Sequence, residues 1–238
     1  MCKIVPSGAE TAIEAHFSQF TAKDVTIART VTGMMLRDST ASLTMTIISN
    51  CETGLESHDS ELDLRGGTLV DNRRGIAAYH STLALATVTV RGSEQQGVLA
   101  EECRIKFSSC ELADNSVGVQ IKGGEGQLLM SRFVRNRDVG LHQTGSRIKA
   151  YRCLFADNVR DGMRVDDGRG VVWASAFSGN GGYNLANAGR EDVTAVQNWW
   201  GSNDESTIVA KILDSARDAG LGKVVVGPWL PEKPTVLP

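Results

Sequence analysis

Aromatic side chains are scarce in this chain: six Phe, four Trp and three Tyr make up 5% of 238 residues. An interior with so few rings is narrow and filled by stacked aliphatic groups, which the 41% hydrophobic fraction can supply. Long apolar runs are missing as well. No stretch reaches the roughly 18 residues a spanning helix needs, so no membrane partner is expected. Basic excess is also lacking: 25 Lys and Arg against 28 Asp and Glu give a net charge of −3. That balance argues against nucleic acid as a partner. The five cysteines (Cys2, Cys51, Cys103, Cys110, Cys153) are odd in number and show no paired close spacing, so they read as free thiols. The N-terminal Met1 to Gly8 lacks the charged-then-apolar layout of a secretory signal. Both absences point to the cytoplasm, or to a mature or excised piece of a secreted protein.

What is present is a period. Glycine followed by an apolar residue returns every 21 or 22 positions, at Gly33, Gly54, Gly75, Gly97, Gly118, Gly140 and Gly162. The register extends back to Ala12 and forward to Asn184. A period of this length means a solenoid, in which each unit buries its apolar residues only by stacking on its neighbours.

Counting from each unit start sorts the apolar residues into columns. One position on stand Ile13, Met34, Leu55, Ile76, Val98, Val119, Leu141, Met163 and Leu185. Ten on, the column runs from Ala22 and Leu43 through Phe107 and Leu128 to Val172 and Thr194; fifteen on, from Ile27 and Ile48 through Phe133, Phe155 and Phe177 to Trp199. With smaller companions at three, eight and thirteen, the inward positions come in pairs two apart, which is strand spacing. Three short strands per unit predict a three-sided coil. Coils stacked at roughly 4.8 Å would build a rod on the order of 43 Å long. A further column at eighteen, with Asn72, Asn115, Asn136, Asn158 and Asn180, predicts an asparagine ladder at a turn. Asparagine tolerates left-handed turn geometry, and its amide can bond the equivalent amide of the next coil.

The pattern Phe-x-x-Asn-x-x-x-Gly-apolar, at Phe133 to Leu141 and Phe155 to Met163, resembles the repeat of right-handed parallel β-helices. These are the pectin-lyase-like proteins, including the NosD-type and carbohydrate-binding-and-sugar-hydrolase modules. Asn198-Trp199-Trp200-Gly201, a short helix, a Val-rich strand and Pro228-Trp229-Leu230 are similar to their terminal segment. The resemblance runs from about residue 11 to 231 and implies an all-β, single-stranded right-handed parallel β-helix of about nine coils. It leaves activity open, because the family spans lyases, hydrolases, epimerases and noncatalytic proteins. Leucine-rich repeats and left-handed hexapeptide helices do not fit these offsets.

Three regions follow: an N-terminal tail 1–10, the β-helix 11–201, and a cap and tail 202–238. In the cap, Asn203 or Asp204 would start a helix with an Ile208, Ile212, Leu213 and Ala216 stripe, ending at Gly220. Lys223 to Val226 would add a strand, so that this segment covers the last coil's edge. Pro6, Ser7 and Gly8 do not favour a capping helix, so the N-terminal edge is a candidate for a protein partner or self-association.

Two outward patches could carry chemistry. Four positions after the unit start stand His16, Arg37, His58, Tyr79, Glu101 and Lys122, with Asp59 and His80 in the next column and Glu56 and His142 two positions before. In a lyase or epimerase reading His58 or Tyr79 removes a proton, Arg37 pairs with a sugar carboxylate, and Glu56 or Asp59 orients the base. The same array also reads as a solvated face of mixed charges, and no complete catalytic signature is met. The second patch is Leu129, Tyr151 and Trp173 in one column, with Val171 and Val193 beside it and Lys149, Arg132 and Arg152 flanking. It is a candidate sugar platform, a protein interface, or a seat for the C-terminal tail. Met34, Met35, His16 and His58 match no metal spacing, so neither a metal nor another cofactor is expected. The two functional readings are a carbohydrate-binding or carbohydrate-processing module, with a polysaccharide as partner, and a noncatalytic scaffold.

Overall fold

The computed structural model describes residues 2–4 and 10–234. It is a parallel β-solenoid of about 9 turns with one short helix near its C-terminus, as the columns predict. Each coil contributes a strand to three faces. The first face begins with Thr11–His16, Thr32–Arg37 and Thr53–His58, and equivalent residues stack directly: His16 on Arg37, Arg37 on His58, His58 on Tyr79. The second face stacks Arg104–Ser108 on Glu125–Leu129 and then on the second half of Leu141–Tyr151. The third stacks Glu111–Ala113, Arg132–Val134, Leu154–Ala156 and Ala176–Ser178.

Left-handed corner residues join the faces. The first-to-second corner uses Asp38, Asp59, His80 and Glu102 in successive coils, all with φ near +50°. At the third-to-first corner the left-handed residue precedes the ladder asparagine: it is Asp71, Asp114, Arg135 or Asp157. The asparagines are therefore buried hydrogen-bonding residues, and the left-handed geometry expected of them falls one position earlier. Their amides do link coil to coil, with Asn136 Nδ2 donating to Asn158 Oδ1 at 2.9 Å and Asn158 Nδ2 to Asn180 Oδ1 at 2.9 Å.

The recurring glycine is explained by close approach. A Cβ on Gly97 would stand 2.6 Å from the Gly118 carbonyl oxygen and 2.8 Å from Asn115 Nδ2. Substituting alanine should therefore destabilise by about 1–3 kcal/mol through overpacking, against an unfolded-state gain of only about 0.4–1 kcal/mol. Urea unfolding of Gly97→Ala checks the sign.

The core is a stack of side chains along the rod. Phe133, Phe155, Phe177 and Trp200 lie ring on ring, with centroids 5.0, 4.8 and 4.7 Å apart. Trp200 closes the column, in place of the expected Trp199, which pairs outward with Ala176. Thr194 likewise faces out against Val171, while Val193 and Ala195 are buried. The ninth coil is thus shifted by one residue, because the irregular stretch 188–192 replaces its single-residue corner. Cys51, Cys103, Cys110 and Cys153 are free and buried, and burial pushes the Cys153 thiol up to about 12. They act as small apolar and turn-bonding groups.

The helix is shorter than the stripe predicts. It spans Glu205–Ala210, and the Asp204 carboxylate caps it by accepting the Thr207 N–H at 2.8 Å. The hydroxyls of Ser206 and Thr207 hold that carboxyl down at about 2. Ile212–Leu213 then leaves the helix and pairs with Leu185–Ala186. The exposed edge of the last coil offers ladder bonds that a continued helix would leave unmade. Val224 and Val225 complete the cover by pairing with Val193 and Thr194. At the other end Cys2–Ile4, within the segment read as a tail, pairs with Val25–Ile27. The expectation for Pro6, Ser7 and Gly8 lies outside the described residues. Among the described residues, Thr11–His16 and Gln19–Lys23 have a strand partner on one side only.

Candidate functional site

On the first face the structure joins some predicted residues and separates others. Glu56 and His58 project outward from one strand two residues apart, and Glu56 Oε1 meets His58 Nε2 at 2.7 Å. The imidazole stacks on the Tyr79 ring of the next coil, centroids 4.8 Å apart and planes 17° off parallel. Carboxylate, imidazole and phenol thus form one unit, with the ring fixed on two sides. Arg37 stands directly beneath His58 in the ladder, but its Nε points along its own strand to Met35 Sδ at 3.3 Å. Asp59 and His80 are exposed corner residues with φ of 49° and 50°. Asp59 therefore does not stand on the strand face with the His58 ring. Glu14 Oε1 and His16 Nε2 make the same contact at 2.7 Å two coils below. A third histidine–carboxylate pair, His142 Nε2 to Asp166 Oδ2 at 2.7 Å, lies on this face farther along the rod, with Arg164 Nε on Asp166 Oδ1 at 2.8 Å. The sequence placed His142 in the right column but read Asp166 as an ordinary turn residue. Among the described residues no cluster of His, Cys, Asp and Glu is arranged to hold a metal.

The second patch lies on the second face. Tyr151 and Trp173 stack as ladder neighbours, ring centroids 4.9 Å apart and tilted by 31°, and both are half-buried. Lys149 stands exposed on the same strand as Tyr151. Arg152, at the corner, lies over the Tyr151 ring with its guanidinium carbon 5.2 Å from the centroid, a cation–π contact. Arg132 belongs to the third face, near Glu111 at 3.9 Å, and does not flank the platform. Trp229 packs against the end of the core, and Leu230 to Pro234 line a cleft with Arg152 and Ala174, the residues that follow the two rings.

Sequence reasoning found Lys149 but missed the other cations of its two columns, Arg104, Lys106 and Arg147. Arg104 and Arg147 share one outward column with Glu125 between them, and Lys106 and Lys149 share the next with Gln127 between them. The signal was present as an Arg-x-Lys pair repeated two coils apart. Its members border an open cleft of about 490 Å³.

A family model for the right-handed β-helix region matches residues 12–150 and 75–200, most of the chain. The chain belongs to the right-handed β-helix family. Among solved structures this β-helix is similar to the periplasmic alginate epimerase AlgG, at TM-score 0.68 and 12% identity over 89% of this chain and 60% of that one. It is also similar to the A-module of the Azotobacter vinelandii mannuronan C-5 epimerase AlgE6, at TM-score 0.69 and 12% identity over 91% of this chain and 65% of that one. The β-helix spans about three fifths of these epimerases' length, and at such identity the likeness is one of fold. No curated protein matches the sequence.

Proposed function

We propose that this β-helix recognises a polysaccharide along an outer strand face. The observation that carries this reading is the Tyr151–Trp173 pair, two half-exposed rings stacked at 4.9 Å with Lys149 beside them. The two rings cover each other's inner faces, so a sugar ring would pack on their exposed outer edges and on the Trp173 face turned away from Tyr151, along the rod axis. The two epimerases that share the fold act on polysaccharides, which supports the same ligand class. Trp173→Ala should weaken binding of a responsive polysaccharide roughly tenfold, the equivalent of about 1.4 kcal/mol. Affinity electrophoresis against a polysaccharide panel measures it, and an unchanged mobility shift would sink the platform.

A processing role would use the first face. There Glu56 holds the His58 imidazole against Tyr79, so that His58 is the base and Arg37 must swing away from Met35 to meet a sugar carboxylate. His58→Ala would then abolish turnover while leaving binding at Trp173 intact. The scaffold reading rests on the two one-sided strands at the N-terminal end and on Phe17, 82% exposed at their corner. A stable dimer by solution mass measurement, with no polysaccharide bound, would favour it.

A further inference from the structure

We propose that the second face in coils five to eight is a binding site for an anionic polysaccharide, with Arg104, Lys106, Arg147 and Lys149 meeting its acidic groups. The proposal rests on the polysaccharide reading above and adds the charge class and the seat of the chain.

Charge is segregated on this molecule. The chain carries a net charge of −3, yet this stretch of one face presents two Arg-x-Lys rows and, beside Arg147, Arg169. Glu125 stands between the rows, and Glu102 lines the corner cleft shared by Arg104 and Arg147. Glu125 is taken up by Arg104, Nε to Oε1 at 2.8 Å. Among the described residues Lys106, Arg147 and Lys149 form no ion pair with any carboxylate, and all three are exposed. Such unpaired cations repel one another across a ladder, and a bound anion removes that repulsion. An arginine fork also takes both oxygens of a carboxylate or sulfate, which a neutral sugar cannot repay.

Spacing favours a sparsely charged polymer. The two Arg-x-Lys rows are two coils apart, about 9.6 Å at strand spacing, with the uncharged Gln127 and the paired Glu125 between them, and the next cation, Arg169 beside Arg147, faces Glu191 at 3.7 Å. Duplex DNA presents a negative charge about every 1.7 Å of its axis, far denser than these rows can match. The aromatic pair extends the same surface: Tyr151 lies two residues beyond Lys149 on one strand, and Trp173 one coil farther. A sugar chain packed along the outer edges of Tyr151 and Trp173 would bring its acidic substituents toward Lys149 and Arg147, over the open cleft.

The test titrates the full chain with polygalacturonate, dextran sulfate, dextran and a single-stranded oligonucleotide. Both acidic polysaccharides should bind, more weakly as salt rises, and dextran should bind at least roughly tenfold less tightly. The double variant Arg147→Gln, Lys149→Gln, which keeps polar side chains at an exposed site, should lose roughly tenfold or more for the acidic polymers, a loss that shrinks as salt rises. An unchanged thermal midpoint shows that the fold is intact. Acidic-polymer binding that ignores this double change overturns the proposal. Dextran bound as tightly as the acidic polymers, and lost with Trp173→Ala, overturns the anionic site but leaves the polysaccharide reading standing. Binding of the oligonucleotide alone keeps an anion-binding face and overturns the polysaccharide. Binding of none of the four overturns both.

Discussion

Phe155→Ala should cost about 3–5 kcal/mol of stability, at the upper end of that range. Phe155 is fully buried, and its ring stacks on Phe133 at 5.0 Å and on Phe177 at 4.8 Å. Truncation leaves a cavity that the flanking coils cannot close, because their spacing is fixed by backbone ladders on three faces. It also breaks two ring pairs, each contributing about 0.5–1.5 kcal/mol beyond area burial. A solenoid adds a second consequence. Each coil contacts only its neighbours, so a weak coil can uncouple the two ends of the rod. Urea unfolding should therefore show a lower midpoint and a shallower slope, as the C-terminal coils unfold before the N-terminal ones. Phe155→Leu, which keeps most of the volume, should cost far less. A loss below about 1 kcal/mol for Phe155→Ala would mean the ring column does not hold this end of the rod together.

The parts of the fold that were legible in sequence share one property: a side chain repeated at a fixed offset. The Gly33 to Gly162 column, the inward strand pairs and the asparagine ladder all follow from backbone stacking, which repeats without change from coil to coil. Position was lost where that repetition stops. In the ninth coil the stretch 188–192 shifts the register by one, and Trp199 and Trp200 exchange inward and outward roles. The cap helix is shorter than its stripe for a different reason. Ile208, Ile212, Leu213 and Ala216 have helical spacing, but the open edge at Leu185 draws Ile212–Leu213 into a strand. One ladder was missed although it was written in the chain: Ser39, Ser60 and Ser81 lead to Cys103. The Ser39 N–H donates to Ser60 Oγ at 3.0 Å, the Ser60 N–H to Ser81 Oγ at 3.1 Å, and the Ser81 N–H to Cys103 Sγ at 3.4 Å.

Candidate-site residues were legible to the level of a column. Arg37, His58 and Tyr79 do stack in register, and so do Tyr151 and Trp173. Which atoms meet was not legible, because outward side chains choose rotamers by their neighbours. That choice turned Arg37 toward Met35 and joined His142 to Asp166. Asp59 and His80 were misread because a corner residue in the left-handed region has the same offset from coil to coil as a strand residue.

Asn136→Ala is the second large effect, about 2–4 kcal/mol, and its size follows from what the side chain leaves behind. Asn136 is fully buried; its Oδ1 accepts the Asn115 backbone N–H at 3.1 Å, and its Nδ2 donates to the Leu112 carbonyl at 3.1 Å and to Asn158 Oδ1 at 2.9 Å. Alanine deprives the Asn115 N–H of this acceptor in a place water does not reach, at about 1–3 kcal/mol. The other lost bonds add roughly 1 kcal/mol between them, since Asn158 Oδ1 still accepts the Asn136 N–H. Urea unfolding measures the total, and a loss under about 0.5 kcal/mol would mean the ladder is decorative. The same column shows why a short residue is tolerated elsewhere. At Gly97 and Gly118 the space beside the glycine is filled by the Asn115 and Asn136 amides, three residues after Leu112 and Phe133. At Gly33 and Gly75 it is filled instead by Ile48 Cγ2 and Val90 Cγ1, and the ladder positions hold Cys51 and Ser93. A branched Cβ and an asparagine amide compete for one space. Ser93→Asn alone should thus be strained by Val90, whereas Ser93→Asn with Val90→Leu should recover a continuous ladder from Asn72 to Asn180. The double variant is expected to unfold at a higher urea concentration than either single one.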